Sequence, residues 1–362
     1  MRFGITHMGH IDVAIRALAA KLDLDLVKTP PTTQRTLSLG IKHSPETVCL
    51  PFKLQLGNMI EALEQGADTL IMPGGAGPCR FGYYHKTHIL ILRELGYEFQ
   101  MLTQDNGILE MIKPIANGAS LREILAAVRF GLAKLKAVED LERTAHKMRA
   151  IERDRGEATR IYRQGIKVID EAPDQRALKE AQQDYKQKFD NMPTVIPPVP
   201  LKVGVIGEFF VVIDPFANMD IEMELGKLGV EVRRTIFAGD WVRINPFHYF
   251  FGLGEKSKAH RAAKPYSFHH LGGDGWQSVG EKVMHARDWD GIVHLEPFGC
   301  LPEITARNIM PSTKEKLPVL NIIYDEHTAK TGIVTRLEAF VDILRYEKLA
   351  RARRNNGGGS TS

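Results

Sequence analysis

Short, largely apolar runs punctuate the chain at Arg2–Ile5, Asp68–Met72, Phe99–Leu102, Lys202–Ile206, Gly229–Ile236, Asp290–Leu295 and Pro318–Ile323. Several are rich in Val and Ile and most are bounded by Gly, Pro or Asp, the pattern of short buried strands. Between many of them the apolar spacing becomes helical, at Ile11–Leu22, Leu54–Gln65, Ile89–Leu95 and Leu337–Arg345. Gly66 and Gly96 stand where helices end in a left-handed residue. Alternation of this kind predicts parallel sheets with right-handed crossovers.

The middle of the chain follows another pattern. Ser120 to Glu171 contains no proline and is dominated by Ala, Leu, Arg, Lys and Glu. Its apolar spacing drifts out of any heptad register, so it predicts two or more long helices with one wet face rather than a coiled coil. Pro193, Pro197, Pro198 and Pro200 then form a stiff joint before the strand at Lys202. The resulting order is an N-terminal α/β domain (1–118), a helical segment (119–192), a proline-rich linker (193–201) and a C-terminal α/β domain (202–350). A flexible tail (351–362) ends in NNGGGSTS. No sequence repeat is visible, yet the alternation makes the two α/β halves candidates for one shared architecture.

Composition narrows the classes. With 362 residues, 43% hydrophobic and 25% charged, the chain has the balance of a globular protein with room for two cores. The net charge of +4, from 48 basic and 44 acidic residues, is spread without a basic stripe interleaved with aromatics, so no nucleic-acid partner is expected. The start MRFGITHMGH lacks a signal-peptide core, and no run approaches the ~18 apolar residues of a membrane span. A cytoplasmic protein without a membrane partner is the expectation. Three cysteines, an odd number, argue against a disulfide framework.

Those cysteines occupy comparable places. Cys49 closes the run Glu46–Thr47–Val48 and precedes the helix opening near Pro51. Cys79 follows the glycine-rich loop Pro73–Gly74–Gly75–Ala76–Gly77–Pro78 after a strand. Cys300 follows Glu296–Pro297–Phe298–Gly299 after another strand, and Pro302 can open the next helix. Ligands of open α/β sheets bind outside the carboxyl ends of strands, where helix N-termini favour thiolates, the metal-binding form. From spacing alone, a shared metal site and three separate buried thiols stand level, because the CxxC pairs of zinc and ferredoxin motifs are absent.

Other groups have weaker signals. Gly74–Gly75–Ala76–Gly77 matches neither a dinucleotide fingerprint nor a P-loop. His269–His270 and Tyr83–Tyr84–His85 are candidates for a fourth ligand or proton donor, with surface or packing roles favoured. The aromatic stretch Asn245–Gly252 fits core packing better than a binding surface. Glu46 and Glu296, beside cysteines, are candidate supporting carboxylates, with turn hydrogen bonding the simpler role.

The runs HSPETVCLPFKLQLGNMIEALEQGAD, IMPGGAGPCRFGYY and LEPFGCLPEITARNIMPSTKEKLPVLNIIYDEH, followed by TRLEAFVDIL, closely resemble the 2-hydroxyacyl-CoA dehydratase superfamily, nearest its branch of acyl-CoA dehydratase activase-related (CoA protein activase-like) proteins. The first three runs are each built around one cysteine, and the resemblance spans both α/β halves. It implies Rossmann- or flavodoxin-like domains and a [4Fe–4S] cluster on Cys49, Cys79 and Cys300 with one iron left open. It also implies a separate ATP-dependent, cluster-bearing activator of the sugar kinase and actin superfamily, which injects a low-potential electron. The true dehydratases pair two related subunits, so a related subunit or a homodimer is the expected assembly.

Three functions follow for testing. The first is a lyase- or reductase-like enzyme acting at the open iron on an acyl-CoA or other small molecule. The second is a non-catalytic electron-transfer component fed by the activator, and the third a structural zinc protein.

Overall fold

A computed structural model describes residues 1–72, 79–103, 113–239, 255–266 and 272–357. Strands formed at all seven of the apolar runs: β1 (Phe3–Gly4), β2 (Thr69–Ile71), β3 (Gln100–Leu102), β4 (Leu201–Gly207), β5 (Val230–Arg234), β6 (Gly291–Pro297) and β7 (Val319–Tyr324). They make two sheets, ordered β1-β2-β3 and β5-β4-β6-β7, and every pairing is parallel. The architecture is therefore α/β, as the alternation predicts.

The two sheets share more than the composition of their strands. In the second, the chain runs from β4 to β5 on one side, then crosses to β6 and β7 on the other. In the first, a parallel bridge joins Phe3 to Leu26, supported by Phe3 N donating to Asp25 O and Val27 N to Phe3 O, both at 2.8 Å. Residue 26 thus takes the place of a second strand, β2 and β3 lie beyond β1, and both halves have the order second-first-third-fourth. Each order reverses beside its first strand, the position where open α/β sheets bind ligands.

The helices of the first half are α1 (Ile11–Lys21), α2 (Gln34–His43), α3 (Leu50–Glu64) and α4 (Tyr84–Glu94), the last preceded by a 3₁₀ turn at Arg80–Tyr83. Helix α3 is buried from Leu50 to Leu63. Its Phe52, Leu56, Met59 and Ile60 join Leu70 and Met72 in one core, while Leu50 and Leu54 join Val203, Val205, Val293 and Leu295 of the second sheet in another. It is the helix that welds the halves. Helix α2 has little apolar stripe and docks through glycines: a Cβ on Gly40 would lie 1.9 Å from Lys53 O, and one on Gly57 1.9 Å from Thr36 O. That contact is invisible to apolar periodicity, which predicts no helix there.

The proline-free middle folds as α5 (Leu121–Ile151), α6 (Glu157–Glu171) and α7 (Gln175–Asp190). Ser120 and Glu123 form a reciprocal capping box on α5, and Asp174 accepts from Arg176 N and Ala177 N, both at 2.9 Å, to start α7. These three helices bury Leu141, Ile161, Ile169, Leu178 and Phe189 among themselves. The second half adds α8 (Phe209–Ile213), α9 (Ile221–Lys227), α10 (Glu255–Ala263), α11 (Gly275–His285), α12 (Leu301–Ile309) and α13 (Lys330–Gly357). Helix α13 runs on to residue 357, where the expectation is a flexible tail beginning at 351. Its Ile333, Leu337, Phe340, Val341 and Leu344 anchor it in the core, and the charged turns beyond propagate from that anchor. No helix among the described residues is long and apolar enough to cross a membrane.

Candidate metal centre

Each cysteine stands immediately before a helical segment. Cys49 precedes α3, Cys79 the 3₁₀ turn at Arg80 and Cys300 α12, with proline in the first turn of α3 and α12. Proline there fixes φ without losing a hydrogen bond, so these starts are stiff. Cys79 and Cys300 are topological equivalents, each in the loop after the third strand of its half, while Cys49 comes from the helix between the halves.

Arg80 stitches two of these loops together. Its Nη1 donates to Thr47 O at 3.1 Å, two residues before Cys49, and its Nη2 to Gly299 O at 2.6 Å, directly before Cys300. The third loop is tied in through Gly273, where an added Cβ would lie 3.1 Å from Pro302 and 3.9 Å from Cys79 Cβ. Cys49 and Cys300 are buried and Cys79 is half-buried. The Tyr84 hydroxyl is paired with Cys49 Sγ, so one member of Tyr83–Tyr84–His85 reaches the site.

Electrostatics also link the three thiols. Burial pushes Cys49 up to about 11, against the Tyr84 hydroxyl, and raises Cys79 and Cys300. The Glu208 carboxylate opposes ionisation of all three, and Cys49 opposes that of Cys300. Burial raises Glu208 itself to about 8, against the Val211 N–H that its Oε2 accepts at 2.9 Å. Without a cation, then, the site favours neutral thiols, and metal binding releases their protons.

The donor set tests which metal fits. Three thiolates around one zinc at ~2.3 Å lie about 3.8 Å apart. The three sulfurs do not all close to within 4.8 Å of one another, so they form no ready-made single-ion cage. Soft thiolates are the donors that iron–sulfur clusters take, and a cluster held by only three cysteines needs one further ligand.

The other candidates scatter. Glu296 is buried within β6 and pairs with Arg307 at 3.4 Å, burial raising its carboxyl. Glu46 is exposed, and its carbonyl rather than its carboxylate meets Lys53 Nζ, at 3.4 Å. His269–His270, Asn245–Gly252 and the loop 73–78 lie outside the described residues. Three surface clefts of about 430, 800 and 400 Å³ are lined by none of the cysteines.

Sequence reasoning missed two groups. Glu208 is one; its signal is its place directly after β4, a strand end like those that precede Cys79 and Cys300. The other is a buried node in which the ligand atoms of Glu142, His146 and Glu222 lie within 4.8 Å. Arg234 already holds both carboxylates, Glu222 through Nη1 at 2.7 Å and Glu142 through Nη2, while His146 Nε2 lies 3.1 Å from Glu222. A guanidinium occupying both acids makes this an ion network rather than a metal cage.

A scan of family models finds none that matches this chain, and a search of curated proteins finds no match either.

Proposed function

We propose that this chain is an oxygen-sensitive, cytoplasmic iron–sulfur protein of the 2-hydroxyacyl-CoA dehydratase type, with Rossmann-like halves and a [4Fe–4S] cluster on Cys49, Cys79 and Cys300. The observation that supports the reading is that the loops carrying three cysteines distant in sequence are joined by Arg80 and Gly273. When bound, such a cluster supplies low-potential one-electron chemistry and, at the iron without a cysteine, a position for an oxygen ligand. The chain's own residues hold the loops in register through Arg80, orient the Cys49 sulfur through Tyr84, and exclude water by burial.

In this reading an ATP-dependent activator delivers the electron and a small molecule or acyl-CoA is the substrate. One observation favours the alternative of a pure electron carrier. Tyr83, Phe298 and Leu301, 63%, 61% and 61% exposed, flank Cys79 and Cys300 and offer an apolar face to a protein partner.

The test is iron and acid-labile sulfide on anaerobically purified protein. About four of each per chain, lost in Cys49→Ala, Cys79→Ala and Cys300→Ala, is the expected result. Zinc without sulfide, or a cluster indifferent to all three substitutions, overturns it. Spectral shifts on adding acyl-CoAs then separate enzyme from carrier.

A further inference from the structure

Resting on the cluster reading above, we infer that Glu208 is the fourth, non-cysteine ligand of the metal centre, its carboxylate occupying the position the three cysteines leave vacant. The backbone sets it there. Gly207 ends β4 at φ +137°, a conformation that L side chains rarely adopt, and a Cβ on it would lie 2.1 Å from Leu295 O. Only glycine lets the chain pass so close to β6 and turn. Glu208 N then donates to Leu295 O at 3.1 Å, which fixes the residue in the crevice between β4 and β6, where the strand order reverses.

On one side of that crevice the β6 loop carries Cys300. On the other, Phe209 N donates to Asp274 Oδ2 at 3.2 Å, and the adjoining Gly273 packs beside Cys79 and Pro302. Glu208 therefore lies between the loops that carry two of the cysteines, and it is the acid common to the surroundings of all three. One carboxylate oxygen, Oε2, caps α8 by accepting from Val211 N–H, and a carboxylate oxygen is a competent donor to iron. A substrate oxygen would then enter by displacing a carboxylate rather than a water.

The experiment is ¹³C electron–nuclear double resonance on the dithionite-reduced, full-length protein, reconstituted anaerobically and labelled with [5-¹³C]glutamate. The wild type should show a ¹³C coupling to the cluster spin. Glu208→Asp, which keeps a carboxylate but removes the label, and Glu208→Gln, which keeps an acceptor for Val211 N–H, should both lose that coupling. A normal cluster signal in the wild type without ¹³C coupling, or a coupling that survives in either variant, overturns the assignment of Glu208 and leaves the cluster standing. A wild type that assembles no cluster overturns the proposed function itself.

Discussion

Arg234→Met tests how the helical layer is locked to the second sheet. Arg234 ends β5, is 7% exposed, and neutralises Glu142 of α5 and Glu222 of α9. Burial alone would raise the Glu222 carboxyl; Arg234, and then His146, instead bring it down to about 2 from its ordinary 4.5. At ~1.4 kcal/mol per pKa unit that depression corresponds to about 3 kcal/mol, in line with the ~3–5 kcal/mol lost when one partner of a buried ion pair is removed. With a melting entropy of ~2.1 cal/mol/K per residue, a loss of about 4 kcal/mol lowers Tm by about 5 °C, if the chain of 362 residues melts cooperatively.

The sign with pH follows from the same shift. A depressed carboxyl contributes stability that is fully present above its unfolded value of 4.5 and is lost as pH falls toward 2. The wild type should therefore lose this contribution across that window. In Arg234→Met the two acids are buried without their cation, so acidification toward pH 5 should raise Tm relative to pH 7. Adding Glu222→Gln to Arg234→Met should recover part of the loss. Differential scanning calorimetry between pH 2 and 8 reads all three effects. A Tm within a degree of wild type, or a double variant less stable than the single one, would refute the assignment of this node as a charge-compensated lock.

Tyr84→Phe removes the hydroxyl at the Cys49 sulfur, and because hydrogen bonds to the sulfurs of the proposed cluster would help set its potential, a redox titration followed by EPR should show a more negative midpoint. Lys53→Met breaks the pair between buried Lys53 of α3 and half-buried Glu326 (Nζ–Oε1 2.5 Å), which joins the two halves. It should cost about 2–4 kcal/mol, read as a lower urea midpoint, and Glu326→Gln in the same chain should recover part of it.

The strands were legible because they are short apolar runs, several rich in Val and Ile and most bounded by Gly, Pro or Asp, and such runs need no tertiary context to be recognised. Helix α2 was not, since what holds it is the backbone approach at Gly40 and Gly57 rather than an apolar stripe. The end of α13 was misread for a related reason: Arg351, Arg353 and Arg354 bury nothing and look like a solvated tail, yet they continue a helix anchored in the core by residues 333–344. At the candidate site Cys79 and Cys300 could be picked out by their strand-end positions; Cys49, expected to follow a short run of the same kind, instead follows the turn between α2 and α3. Glu208 and Arg234 could not be weighed as isolated charges beside apolar runs, because what distinguishes them is the company that tertiary folding gives them. Glu46 shows the converse, a carboxylate near a cysteine in sequence that faces solvent in the fold.

The repeated strand order bears on why the site needs the whole chain. Each half places one cysteine after its third strand, Cys79 after β2 and Cys300 after β6, so either half alone supplies one thiol at its switch point. The third thiol, Cys49, starts the helix whose Leu50 and Leu54 sit in the second half's core and whose Phe52 and Leu56 sit in the first's. A displacement of the halves would therefore move α3 against one core or the other before it separated the cysteines. Arg80 adds a polar tie across the same junction, from the Cys79 loop to the backbone beside Cys49 and Cys300. Packing of the interface and geometry of the thiols are thus one structural variable, and any change that loosens α3 loosens the candidate metal centre with it.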